Sequence, residues 1–196
     1  MKIVLATRNA GKIAELRRIL AGFEIVGLEE FPSIGEVAET GVTFEENALL
    51  KAHAVAQGSG LPAVADDSGL CVDVLNGMPG VFSARWAGRH GDDRANLDLL
   101  LAQISDVQED RLTAHFACAA ALALPSGESR VSHGTLPGRL VRVPRGSNGF
   151  GYDPILVPDG ERRTAAELAP EEKDAISHRG RAFRALAPVV REILGS

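Results

Sequence analysis

Lys2-Ile3-Val4-Leu5-Ala6-Thr7-Arg8-Asn9-Ala10-Gly11-Lys12 opens the chain, and Ile13, Leu16, Ile19 and Leu20 come directly after it. The run from Lys2 to Ala6 has the apolar character of a buried strand. Thr7 to Lys12 is polar and contains a glycine, and the apolar residues that follow recur at helical spacing. Strand, turn and helix in that order predict an α/β fold in which the turn caps a strand end. Further along, a short strand fits Glu24 to Leu28, and a polar loop runs through Pro32 and Gly35 to Glu39-Thr40-Gly41. Thr43-Phe44-Glu45-Glu46 has capping-box spacing, with the Thr43 hydroxyl accepting from the Glu46 amide and Glu46 reaching back. This predicts a helix from Phe44 to about Gln57, closed by Gly58.

The apolar runs Leu61 to Ala65 and Leu70 to Leu75 flank Asp66-Asp67-Ser68-Gly69. That composition reads as a turn, so the two carboxylates are expected to leave a strand end and face a loop. Asn76 to Gly80 is another turn signal. Leu97, Leu100 and Leu101 mark one face of a helix between Asp92 and Ile104. His115 to Leu124 suits a helix by its alanines and a central strand by its apolar character, and is assigned as strand. Two short strands follow, Ser129 to Gly134 and Arg139 to Val143, then the glycine-rich stretch Gly146 to Asp153. Helices are expected from Pro170 to Ile176 and from Arg179 to Leu194, the second kinked or split at Pro188. Helices alternating with strands early and strand-rich structure later predict one α/β unit built on a mixed central sheet. In such folds ligands gather where strand ends open into loops.

Composition narrows the function. At 196 residues and 45% hydrophobic, the chain can bury one substantial core. A net charge of -5 and a pI near 5.6 argue against nucleic acid as the main partner, because polyanion binding draws on clustered Lys and Arg. A small anion held by a few local cations remains compatible with that balance. The opening apolar run is too short for a signal peptide or a membrane span, so a cytoplasmic protein is expected. Cys71 and Cys118 lie apart in apolar stretches and read as buried free thiols rather than a zinc site or a disulfide. Trp86 fits either the core or an interface.

Four clusters carry candidate chemistry. The turn Thr7, Arg8, Asn9, Ala10, Gly11, Lys12 offers backbone amides at a helix N-terminus, an arrangement that binds phosphate. Arg8 and Lys12 oppose the helix dipole there, which is easier to explain if an anion sits between them and the helix. A plain turn capped by Asn9 would show the same residues. It is not a P-loop, because Ile13 stands where a hydroxyl would bind magnesium. In the second cluster, Asp66 and Asp67, with Glu39 or Glu45 added in space, supply hard carboxylate oxygens of the kind magnesium takes in phosphoanhydride hydrolysis. Neighbouring side chains on extended backbone point to opposite faces, so one of the two aspartates is expected to face the site.

Third, Ser147-Asn148-Gly149-Phe150-Gly151-Tyr152-Asp153-Pro154 places aromatic surfaces between glycines that allow close backbone approach, a surface on which a base can stack or an ordinary core turn. Fourth, Lys173 and Ser177-His178-Arg179-Gly180 put donors at a helix start capped by Ser177, either for a carbonyl or phosphate or as solvated surface.

These motifs carry a family resemblance over almost the whole length. Thr7-x-Asn9-x-x-Lys12, Glu39-Thr40-Gly41-x-Thr43-Phe44-x-Glu46-Asn47-Ala48 with Lys51, Ala65-Asp66-Asp67-Ser68-Gly69-Leu70, Pro79-Gly80-Val81-x-Ser83-Ala84-Arg85, Gly149-Phe150-Gly151-Tyr152-Asp153-Pro154 and Lys173-x-x-x-Ser177-His178-Arg179 stand in this order. The chain resembles the inosine triphosphate pyrophosphatases, also known as dITP/XTP pyrophosphatases. The resemblance implies two lobes with the active-site cleft between them. It also implies a magnesium-dependent homodimer that splits ITP, dITP or XTP between the α and β phosphates, releasing a nucleoside monophosphate and pyrophosphate. By position it assigns Asp67 as general base and metal-linked carboxylate, with Glu39 as the other metal ligand. It assigns substrate contacts to Thr7, Arg8, Asn9, Ala10, Gly11, Lys12, Lys51, Ser68, Phe150, Gly151, Tyr152, Asp153, Lys173, His178 and Arg179. Many family members carry two consecutive acids before Thr-Gly, where this chain has Ala38 and Glu39.

Overall fold

The computed structural model describes residues 2–20 and 22–195. Its elements, in chain order, are β1 (Lys2–Leu5), α1 (Ala10–Ile19), β2 (Glu24–Gly27), α2 (Phe44–Ser59), β3 (Ala63–Val72), β4 (Met78–Pro79), α3 (Asp93–Gln103), β5 (Thr113–Ala123), β6 (Ser129–Leu140), β7 (Leu156–Pro158), α4 (Pro170–Ile176) and α5 (His178–Leu194). The strands form one mixed sheet in the order β2-β1-β3-β5-β6-β7, with β4 paired to β3. β1 runs parallel to β2 and to β3, while β4 is antiparallel to β3 and β7 to β6. The expected mixed α/β fold is therefore the observed one. Among the described residues no helix is long and apolar enough to cross a membrane.

The chain resolves into two compact units, neither of them a continuous segment. The first holds Met1–Asp67, Cys118–Gly134 and His178–Ser196, and the second holds Ser68–Ala117 and Thr135–Ser177. In the first unit the pleat sorts the core by residue parity. Ile3, Leu5, Val64, Cys118, Ala120 and Leu122 pack with Leu16 and Leu20 of α1 and with Phe183, Leu186 and Val190 of α5. Val4, Ala6, Ala63, Ala65, Ala119 and Ala121 pack with Ala48, Ala52, Val55 and Ala56 of α2. This alternation, with helices on both faces, fixes β5 as a strand and explains its alanines: small side chains let α2 lie close on the sheet. In the second unit Leu70, Val72, Leu97, Leu100, Phe116, Leu136, Leu140, Tyr152, Ile155 and Leu156 form a separate core, with Trp86 packed against it.

Capping chemistry fixes the helix starts. Asn9 caps α1 by accepting from the Lys12 amide, Thr43 caps α2 through the Glu46 amide, and Asp92 caps α3 through the Ala95 amide. The Glu46 carboxylate does reach back, but to the amide of Val42 at 2.7 Å rather than to the cap residue. The end of α2 lies at Ser59, not Gln57, because Gly60 rather than Gly58 takes the left-handed conformation.

Three further expectations are corrected. Asp66 to Gly69 is not a turn: all four lie inside the continuous strand β3. Ser129 to Leu140 is one strand rather than two, and it stops before Val143. Although Pro137 offers no N–H, its carbonyl accepts from Asp159, so the Pro137-Gly138 pair does not interrupt the ladder. Finally, α5 runs through Pro188 without splitting and begins at His178.

Candidate active site

In the first unit α1 presents its N-terminus at the end of β1. Ala10 and Gly11 are its first residues, whose amides have no partner within the helix. Asn9 Oδ1 accepts from the Lys12 amide at 3.1 Å, and Thr7 Oγ1 accepts from the Asn9 amide at 3.2 Å. The two cations of the turn have partners inside the protein. Lys12 Nζ lies 3.0 Å from Asp66 Oδ2, and the Arg8 guanidinium donates to the Ile34 carbonyl at 2.7 Å. Their presence against the helix dipole thus has an explanation that requires no bound anion, and Arg8 anchors the loop that leads to Glu39.

The strand β3 sends its two aspartates to different partners, as pleating demands. Buried Asp66 takes the Arg179 Nε–H at 3.1 Å together with the Lys12 ammonium, and Arg179 also pairs with buried Glu15. Asp67 instead receives Asn47 Nδ2–H at 3.1 Å and faces Lys51 Nζ at 3.3 Å. The same ammonium binds Glu39 Oε1 at 2.7 Å, so one lysine gathers both carboxylates. Asn47, which has no exposed surface, accepts from the Gly41 amide at 2.8 Å on its other side. Its carboxamide joins the loop that carries Glu39 to Asp67.

These surroundings pull the two acids apart in basicity. Burial pushes the Asp66 carboxyl up, but Lys12, Arg179 and Lys51 outweigh it and hold the group far below the usual carboxylate range. For Asp67 burial again pushes upward and the Glu39 charge adds to it. Lys51, Lys12 and Asn47 offset this only in part, and Asp67 ends above its ordinary value. Burial lowers Lys51, yet the carboxylates of Asp67, Asp66 and Glu39 prevail and its pKa is raised. Asp66 is therefore a fixed charge, and Asp67 is the more basic carboxylate. His178 and Arg179, at the start of α5, are both buried rather than solvated.

The second unit begins at Ser68, the residue after Asp67. Gly69 is required there, since a Cβ would collide with the Gly80 carbonyl and the Ser83 side chain. Ser83 Oγ accepts from the Leu70 amide at 2.9 Å, and the Ser83 carbonyl accepts the Tyr152 hydroxyl at 3.0 Å. Asp153, buried, receives Lys173 Nζ at 2.6 Å and the Phe150 amide at 2.8 Å, while the Lys173 ammonium lies 5.2 Å from the Phe150 ring centroid. Both flanking glycines are left-handed. Close approach holds for Gly149, whose missing Cβ makes room for Asp153 and Lys173; Gly151 faces open space. The Gly151 amide donates to Asp93 Oδ2 at 2.9 Å.

The sequence-selected residues thus form two sets. Thr7 to Lys12, Glu39, Lys51, Asp67, His178 and Arg179 belong to the first unit, and Ser68, Phe150 to Asp153 and Lys173 to the second. Glu45 is drawn elsewhere, to His133 at 3.1 Å. Glu15 and Asp93 were not singled out, and Asn47 had no role attached. The signal for Glu15 is weak but present: an acid in the helical row of Ile13, Leu16 and Ile19 is out of place unless it has a buried cation. Asp67 and Glu39 are the two carboxylates that share the Lys51 ammonium. Among the described residues no group of three His, Cys, Asp or Glu could hold a metal ion. Cys71 and Cys118 are free and buried, and burial pushes the Cys71 thiol up to about 11.

A strand–turn–helix unit, followed on a mixed sheet by carboxylates paired with lysines, defines the chain as an α/β protein with buried ion pairs. The model of the Ham1 family matches residues 3–189, and the chain belongs to that family. It is similar to a dITP/XTP pyrophosphatase of Streptomyces coelicolor, with 69% identity covering 99% of each chain. Among solved structures it is similar to a nucleoside-triphosphatase / dITP/XTP pyrophosphatase of Mycobacterium abscessus (59% identity, TM-score 0.78, 96% of this chain and 100% of the other). It is also similar to a HAM1 protein of Coxiella burnetii (44% identity, TM-score 0.88, 98% and 99%).

Proposed function

We propose that the chain hydrolyses non-standard purine nucleoside triphosphates, ITP, dITP and XTP, to the nucleoside monophosphate and pyrophosphate, acting as a single pyrophosphatase domain over residues 1–196. The names of its relatives support the activity, and full-length identity supports carrying it over. The observation that carries the chemistry is Asp67: a carboxylate made more basic by burial and Glu39, held by Asn47 and faced by Lys51.

In this reading the Thr7 to Lys12 turn holds phosphate on the first amides of α1, and Asp67 accepts the proton of an attacking water. Lys12, Lys51 and Lys173 offset the charge that builds on departing pyrophosphate. Asp67 and Glu39 would hold a divalent cation, and two carboxylates gathered on one ammonium fit magnesium, which is commonly held by one or two carboxylates plus substrate phosphates. When bound, that ion offsets phosphate charge and polarises water. Lys51 would then help set the separation of the two ligands, which suits a chain with Ala38 in place of a further acid.

Phe150 supplies apolar surface for the base, with Gly151, Asp153 and Ser68 as neighbouring contacts. Tyr152, packed in the core with its hydroxyl on the Ser83 carbonyl, supports the turn from behind instead of stacking on the base as the sequence suggests. His178 and Arg179 supply donors for a 6-oxo group, which hypoxanthine and xanthine have and adenine lacks. A cytoplasmic homodimer with no nucleic-acid or membrane partner completes the proposal. Incubation of the protein and magnesium with ITP, XTP, dITP, ATP and GTP, with product analysis, tests it. Monophosphate and pyrophosphate from the first three are expected. Orthophosphate alone, no product, or equal cleavage of ATP and ITP would overturn it.

A further inference from the structure

Asp93 has a partner that its place in the helix does not explain. It is the first residue of α3, but the capping task belongs to Asp92, whose side chain accepts from the Ala95 amide. Interaction with the helix dipole is open to any acid in that turn and needs no specific acceptor geometry. The Asp93 carboxylate nevertheless accepts the amide of Gly151, 58 residues further along. Gly151 is left-handed, with φ 61, and stands between Phe150 and Tyr152. The turn is already tied on its other flank. Asp153 accepts the Phe150 amide and the Lys173 ammonium, its carbonyl accepts from Ala166, and Asn148 donates to the Leu168 carbonyl. On the near flank the ties are the Tyr152 hydroxyl on the Ser83 carbonyl and Gly151 on Asp93. Asp93 also contributes, after burial, to raising the Tyr152 hydroxyl, in keeping with its closeness to the turn.

We propose that Asp93 is a positioning residue: by holding the Gly151 amide it fixes the turn between Phe150 and Tyr152, and so sets how tightly the base of the substrate is held rather than how fast the anhydride is cleaved. This rests on the reading above that Phe150 to Asp153 contact the nucleotide. Because the Asp93 carboxylate is exposed, the bond is worth no more than an ordinary net hydrogen bond; without it the substrate must order the turn itself, at about a five- to tenfold loss of affinity.

The test is steady-state kinetics with ITP and magnesium for the wild type, Asp93→Ala, Asp93→Asn and Phe150→Ala, with amide hydrogen exchange at Gly151. Asp93→Ala is expected to raise KM about five- to tenfold, leave kcat within about twofold, and speed exchange at Gly151. Asp93→Asn keeps an acceptor oxygen and removes the charge, so it should recover most of the lost affinity and protection. Equal behaviour of the two Asp93 variants would reduce the residue to a helix-dipole charge and overturn the role. Unchanged exchange at Gly151 in Asp93→Ala would overturn it directly. If Phe150→Ala raises KM and Asp93→Ala does not, the Asp93 role fails alone. If Phe150→Ala leaves KM unaltered, the base-contact reading itself fails and takes the KM claim with it.

Discussion

Asp66 and Asp67 are consecutive residues of one strand, both almost fully buried, and they have been put to opposite uses. Asp66 looks toward α1 and α5, where Lys12 and Arg179 compensate its charge and Glu15 compensates the rest of Arg179. Asp67 looks toward α2, where one lysine is shared with a competing carboxylate. A side chain's parity on the pleat decides which helix supplies its partners. The fully compensated carboxylate is built to stay ionised and hold elements together. The under-compensated one is kept basic, which is the state a proton acceptor needs, and holding a charge there detracts from stability.

The largest expected effect separates the pair by activity. Asp67→Asn should lower kcat by about 10²–10⁴-fold, the range for loss of a general base. Because the folded state disfavours the Asp67 charge, its melting temperature should equal or exceed the wild type's. A loss of stability together with activity would make Asp67 a second structural acid. Next in size, Asp66→Ala leaves Arg179 and Lys12 short of a buried counter-charge, for which about 3–5 kcal/mol of destabilisation is expected. Chemical denaturation would measure it, and a cost no larger than that of an exposed ion pair would erase the contrast.

The smallest effect is in pH dependence, where the two acids have opposite signs. The Asp66 pKa is depressed in the fold, so its contribution is present above the unfolded carboxylate value, about 3.9, and is lost as pH falls below it. The Asp67 pKa is raised, so the fold binds that proton better than the unfolded chain does, and stability is lost as pH rises through the raised value. Urea midpoints from neutral pH to pH near 3 should therefore fall less steeply for Asp66→Asn than for the wild type. Asp67→Asn should gain on the wild type at neutral pH and lose that gain in acid.

The sequence disclosed whatever is locally encoded. Asn9, Thr43 and Asp92 show as caps because a short polar side chain meets an amide three residues on. The span of α4 shows because Pro170 opens it. The alternation in the first unit's core could be read for β1 but not proved for β5, where alanine suits both helix and strand and only packing on α2 decides. Asp66-Asp67-Ser68-Gly69 misled because its composition is that of a turn. The stretch is extended only because Lys12, Arg179, Lys51 and Asn47, distant in sequence, satisfy its carboxylates, and because Gly69 lies against Gly80 and Ser83. For the same reason Asp67, Lys51 and Glu39 were legible as candidates, while Asn47 as the joint between loop and acid was not. Its two hydrogen bonds reach back 6 residues and on 20, and no local pattern records them.

The interleaved units carry a consequence for synthesis. The first unit starts with residues 1–67 but lacks part of its core until Phe183, Leu186 and Val190 of α5 arrive to cover Leu16 and Leu20. Roughly 110 residues separate those segments, and at about 5–20 residues per second the nascent chain waits on the order of 5–20 s. Through that interval Asp66 has not met Arg179, so the opening strands leave the ribosome with an apolar face uncovered and a buried-to-be charge only half compensated. Completion of the unit waits on α5, which makes that helix as decisive for its folding as the strands that precede it by so much chain.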